Sequence, residues 1–129
     1  MWKLDDGATI RQLDSLALLK IDVEGMETDV LLGARDTIAR YRPAIFVENN
    51  KEENSAGLLS LLRELGYACY WFCSERFRPD NYNRVSWQIP GADYNMVCLP
   101  SEQKRDGFGL MKVDSFDDLK AGRVPLVTA

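Results

Sequence analysis

Two carboxylates spaced two residues apart, Asp22 and Glu24, close an apolar run that reads Ala17-Leu18-Leu19-Lys20-Ile21-Asp22-Val23-Glu24-Gly25. A second run, Ala44-Ile45-Phe46-Val47, also ends in polar residues, Glu48-Asn49-Asn50. The chain has no histidine. That excludes Ser-His-Asp triads, Cys-His pairs and histidine-ligated zinc, and leaves acid–base work to carboxylates, lysines or tyrosines. Charges gathered at the carboxyl end of a strand lie where open α/β sheets place their ligand crevice. The competing reading is structural: the acidic strand end caps the next helix, and Glu48-Asn49 is a capping turn. Residue types alone leave both open.

The elements that must position these groups follow from periodicity. Side chains alternate along a strand, so residues 17–23 in extended form put Lys20, Asp22 and Glu24 on one side and Ile21 and Val23 on the other. Apolar residues on both faces predict a buried, parallel strand. Met26, Val30, Leu31, Ala34, Ile38 and Tyr41 recur at helical spacing, with Glu27 and Asp29 at the positive end of the helix dipole. Gly33-Ala34 inside this helix predicts close approach to a neighbour, and Pro43 ends it. After the strand at 44–47 comes a charged loop at 51–55, where Asn54 or Ser55 can cap a helix with the stripe Leu58, Leu61, Leu62 and Leu65. Gly66 stops that helix. Strand, helix, strand, helix implies a parallel sheet with right-handed crossovers.

Residues 1–16 predict a short strand or an irregular lead-in. Residues 67–73 read as an aromatic strand, 84–89 as a short edge strand, Pro90-Gly91 as a turn, and 94–99 as a last strand stopped by Pro100. A polar tail from 101 to 129 follows residues 1–100, with a short helix expected at 115–120. A strand at 67–73 puts Cys69 and Cys73 on one face roughly 13 Å apart, too far to share a metal. With Cys98 they read as core thiols of an intracellular, cytoplasmic protein. The 129 residues suit one ordinary domain, and a net charge of −4 without a basic stripe argues against nucleic acid. No apolar run is long enough to span a bilayer, and the first residues do not read as a signal peptide.

The segments Lys20-Ile21-Asp22-Val23-Glu24-Gly25-Met26-Glu27, Val30-Leu31-Leu32-Gly33-Ala34 and Arg42-Pro43-Ala44-Ile45-Phe46-Val47-Glu48-Asn49 together resemble the FkbM family of S-adenosylmethionine-dependent methyltransferases. Gly66-Tyr67, Tyr70-Trp71, Arg78-Pro79-Asp80-Asn81-Tyr82 and Asn95-Met96-Val97-Cys98-Leu99-Pro100 agree, so the resemblance covers about residues 4 to 100. It implies an α/β, Rossmann-like methyltransferase fold of strand order 3-2-1-4-5-7-6, of which this chain supplies strands 4-5-7-6 with flanking helices. The cofactor-binding amino-terminal half, with its Gly-rich loop and ribose-binding acidic residue, has no counterpart here. Where the family tends to carry a histidine, this chain has Phe72.

The resemblance implies catalytic roles for Asp22, Glu24 and Glu48 in orienting an acceptor hydroxyl or taking its proton, with Asp22 also near the cofactor. Asn49, Trp71 and Trp87, with Phe72, would line the acceptor site, although strand aromatics are more often core. The residue types also admit a divalent cation shared by Asp22, Glu24 and Glu48, but no metal is assigned. S-adenosylmethionine is the implied cofactor, and the missing loop argues against activity by this chain alone. A strand at 17–23 without its neighbour would be a long, apolar edge, so a homo-oligomer through that edge is expected. The alternative to a methyltransferase (O-directed) is a non-catalytic remnant that self-associates or binds a partner.

Overall fold

The computed structural model describes residues 3–77, 80, 83–84, 90–103 and 106–127. Strands β1 (Leu18–Ile21), β2 (Ala44–Glu48), β3 (Tyr67–Glu75) and β4 (Ala92–Pro100) form one sheet of order β1-β2-β4-β3. β1 and β2 are parallel, and β4 is antiparallel to both its neighbours, so β3 runs with β1 and β2. The sheet is therefore mixed α/β, not wholly parallel. The exception has a simple cause: β4 follows β3 with no crossover helix between them among the described residues, so it returns antiparallel and fills the place beside β2.

One sheet face carries the core. Ile21, Ile45, Val47, Met96, Cys98, Cys69 and Trp71 cluster there with Leu31, Ile38, Leu58 and Leu62 from the helices. The opposite face holds Leu18, Phe46, Val97 and Phe72, and the Phe46 and Phe72 rings meet edge to face at 5.5 Å.

β1 is shorter and more exposed than its apolar run implied. It ends at Ile21; Glu24 (φ 54°) and Gly25 (φ 103°) turn the chain, so the alternation expected through Val23 and Glu24 stops. Leu18 is 57% exposed and Val23 37%, because only β2 pairs with this strand among the described residues.

The helical pattern after Gly25 breaks into α2 (Glu27–Leu32) and α3 (Arg35–Tyr41) at Gly33-Ala34. The break is made by the lead-in, which forms a 3₁₀ turn (Leu4–Asp6) and α1 (Ala8–Arg11) and no strand. Asp5 donates its N–H to the Gly33 carbonyl, and its carboxylate accepts from the Asp36 and Thr37 N–H groups at 3.1 and 2.9 Å. A distant residue thus caps α3, the role a local N-cap usually fills. The lead-in reaches Gly33 through that Asp5 bond, but the space does not demand glycine: a Cβ there would meet the Lys3 side chain at an ordinary 3.4 Å.

α4 (Glu52–Glu64) starts inside the stretch read as a loop, so Asn54 and Ser55 lie in its first turn and cap nothing. Glu52 and Glu53 favour that start through the helix dipole. Gly66, at φ +80°, ends the helix as expected. Pro100 closes β4 from within. The expected edge strand at 84–89 lies, apart from Arg84, outside the described residues, and Arg84 is not in a strand.

The carboxyl-terminal residues lie along the outer edge of β3. Trp71 donates its N–H to Met111 O at 2.8 Å, Val113 to Cys69 O at 2.9 Å and Val127 to Cys73 O at 2.7 Å. α5 (Asp117–Lys120), shorter than expected, packs its Asp118 carboxylate against the Trp71 indole. Gly107 lies so close to the Tyr70 ring that a Cβ would come within 2.3 Å of it.

Candidate functional site

The carboxyl ends of β1 and β2 lie side by side because the strands are parallel and in register, Ile21 beside Val47. The residues that follow each strand therefore converge. One oxygen each from Asp22, Glu24 and Glu48 lies within 4.8 Å of the others. Such a spacing is one a hard divalent cation can bridge, and exposed acidic groups often adopt it without one.

Each carboxylate is held differently. Asp22 and Glu24 are exposed, and Lys20 Nζ pairs with Asp22 Oδ2 at 2.7 Å. Glu24 sits in the left-handed turn, which two contacts fix: Lys51 Nζ donates to the Glu24 carbonyl at 2.8 Å, and Gly25 N–H donates to Glu27 Oε1 at 2.8 Å. Glycine is favoured at 25 by its φ of +103°; the flexible end of Lys51 lies 2.9 Å from where a Cβ would sit. Glu48 is half-buried. The Asn50 amide donates to its Oε1, while Asn50 Oδ1 accepts from the Tyr94 N–H at 2.8 Å. Burial pushes the Glu48 carboxyl above its ordinary value of 4.5, and the charges of Glu24, Asp22, Glu27 and Asp93 push it further. A carboxylate so placed holds a proton more readily than a free one.

The other expected residues fall elsewhere. Asn49 is 3% exposed, with its N–H on the Tyr94 carbonyl and its amide against the Met96 sulfur. It lines, with Gly25, Glu27 and Glu48, a recess of about 10 Å³, scarcely room for one water. Trp71 is 1% exposed in the core, 6.4 Å from the Phe116 ring, and donates Nε1–H to Asp118. It lies on the helix-bearing sheet face, as strand alternation dictates. Trp87 lies outside the described residues. Phe72 shares the open face with Glu48, Lys20 and Asn95.

Sequence reasoning missed Lys51 and Asn50. Lys51, on the Glu24 carbonyl, and Asn50, on the Tyr94 N–H, act through partners remote in sequence, which no local pattern encodes.

The model of the methyltransferase FkbM domain matches residues 3–69, more than half of the chain. The chain belongs to the FkbM methyltransferase family. The match spans β1, β2 and the start of β3, and so includes Asp22, Glu24, Glu48 and Asn49. No curated protein and no solved structure matches. The mixed four-stranded sheet with its helices is compatible with a methyltransferase-like fold. Methyltransferases of this family generally depend on S-adenosylmethionine, and two features bear on how this chain would meet it. The recess beside its carboxylates, about 10 Å³, is too small to enclose such a cofactor. Nor does Gly107-Phe108-Gly109 provide a phosphate-loop-like cradle: it forms a 3₁₀ turn packed on Tyr70, away from any strand-to-helix junction. Among the described residues, no helix is long and apolar enough to cross a membrane.

Proposed function

We propose that this chain is the acceptor side of an O-directed, S-adenosylmethionine-dependent methyltransferase, with β1, β2, β4 and β3 in the places of strands 4, 5, 7 and 6 of the Rossmann-like fold. The observation that carries the reading is the convergence of Asp22, Glu24 and Glu48 at the carboxyl ends of two parallel strands in the family-matched segment. Asp22 and Glu24 orient the acceptor hydroxyl, and Glu48, whose proton affinity is raised, accepts its proton as the methyl group transfers. The contacts that hold the cofactor's adenosine come from residues outside this chain, so the chain alone does not turn over.

Calorimetric titration of the pure chain with S-adenosylhomocysteine tests the division of labour. No saturable heat is expected, and saturable binding would overturn it. In a protein that joins this segment to a cofactor-binding half, Asp22→Asn should lower kcat about 100-fold with little change in melting temperature. Equal losses in both would mark Asp22 as structural.

A second reading rests on exposed apolar side chains: Leu18, Val23 and Met26 are 57%, 37% and 48% exposed around the β1 edge. In that reading the chain is a non-catalytic module that self-associates edge to edge through residues 17–23. Light scattering coupled to size exclusion should then report a dimer, and a monomer at high concentration would count against it.

A further inference from the structure

Neither function uses the cysteines, yet their placement is specific. Cys69 on β3 lies directly opposite Cys98 on β4. The Cys69 carbonyl accepts from Val113, on the outer side of β3, as Trp71 N–H and the Cys73 carbonyl likewise face outward. A strand residue's N–H and C=O point the same way, so Cys69 and Cys98 form a non-hydrogen-bonded pair, the type in which Cα atoms lie about 4.5 Å apart and side chains are closest. That separation lies inside the window for a disulfide. Both cysteines are free and buried.

The third cysteine is excluded by the same register. Cys73 is opposite Tyr94, four residues along each strand from the Cys69–Cys98 pair, and roughly 13 Å away.

We infer that Cys69 and Cys98 form an oxidisable dithiol that peroxides convert to a cross-strand disulfide tying β3 to β4. The two sulfurs are not equivalent. The hydrogen bond from Cys98 favours the Cys69 thiolate, and the Arg63 and Lys112 charges assist, whereas burial holds the Cys98 thiol well above the usual range. Cys69 is therefore the attacking thiol. Its thiolate displaces hydroxide from hydrogen peroxide to give a sulfenic acid. Cys98 then attacks that sulfur, forming the S–S bond as the sulfenic oxygen leaves, and the two thiol protons and the peroxide end as two waters. Cys69 is 4% exposed and Cys98 fully buried, so the peroxide reaches Cys69 only when the covering segment, whose Val113 bonds the Cys69 carbonyl, lifts from β3.

The test uses the full native chain, treated with stoichiometric hydrogen peroxide, alkylated in denaturant without reductant, and mapped by mass spectrometry. A Cys69–Cys98 link with a loss of 2 Da and an alkylated Cys73 is expected. The melting temperature should rise by about 10 °C, reversibly with dithiothreitol. In Cys98→Ala, dimedone should label Cys69 in place of the link. Alkylation of both Cys69 and Cys98, a link through Cys73, or label on Cys98 in Cys69→Ala but none on Cys69 in Cys98→Ala would overturn the inference. The wild-type map decides even if a variant fails to fold.

Discussion

Two carboxylate sites in this small fold are opposites. Asp118 is 1% exposed, and everything around it donates: Trp71 Nε1 at 3.2 Å, the Asp114 and Ser115 N–H groups at 2.9 and 3.3 Å, and Arg123 at 2.8 Å. Burial works against its charge, but these donors win and its carboxyl stays below the ordinary value. Glu48 has one amide donor and shares its surroundings with Glu24, Asp22, Glu27 and Asp93, and its carboxyl is driven up. A fully satisfied charge is a fastening. A crowded, under-compensated one is where a fold keeps reactivity, since a group that resists ionisation is ready to hold or trade a proton.

Removing the satisfied partner should do the greatest harm. Asp118→Ala leaves two backbone N–H groups and the buried Trp71 indole N–H without their acceptor, and should cost about 3 kcal/mol in urea unfolding. Gly107→Ala attacks the same region through shape alone. Its Cβ collides with the Tyr70 ring at φ +71°, so a loss of about 2 kcal/mol is expected, with faster proteolysis of the carboxyl-terminal residues. At the crowded site the sign reverses. Glu48→Gln should stabilise the fold by about 0.5 kcal/mol at pH 7, measured by the same unfolding curves.

Acidity separates the two sites further. Asp118 and Asp5 have folded values below 3.8, so the stability they supply is complete above 3.8 and disappears as pH falls through their lowered values. Glu48 runs the other way. Below 4.5 it is protonated folded or unfolded, and as pH climbs through its raised value, ionisation costs stability. The wild-type chain should therefore lose stability relative to Glu48→Gln between pH 4.5 and neutrality, and the two curves should converge below pH 4. Parallel curves across that range would erase the distinction between the sites.

The strands that carry the crowded site were legible because 17–21 and 44–47 are short, largely apolar runs that end in polar residues. The helix at 52–64 was legible through its leucine stripe. What the sequence hid depends on partners far along the chain. The break at Gly33 exists because Asp5 reaches α3, and the early end of β1 because Lys51 holds the turn at Glu24. Trp71 illustrates the limit at the site: its alternation was readable, but which face the helices would cover was not. The covering of β3 rests on Met111, Val113 and Val127, a pattern too sparse to predict from a polar tail.

That covering has a geometric outcome. One rim of the sheet is covered by the chain's own carboxyl-terminal residues, so among the described residues the β1 side is the one left for strand addition. Two copies joined there about a twofold axis would use up each other's open rim and leave nothing for a third, a closed pair with no route to a fibril.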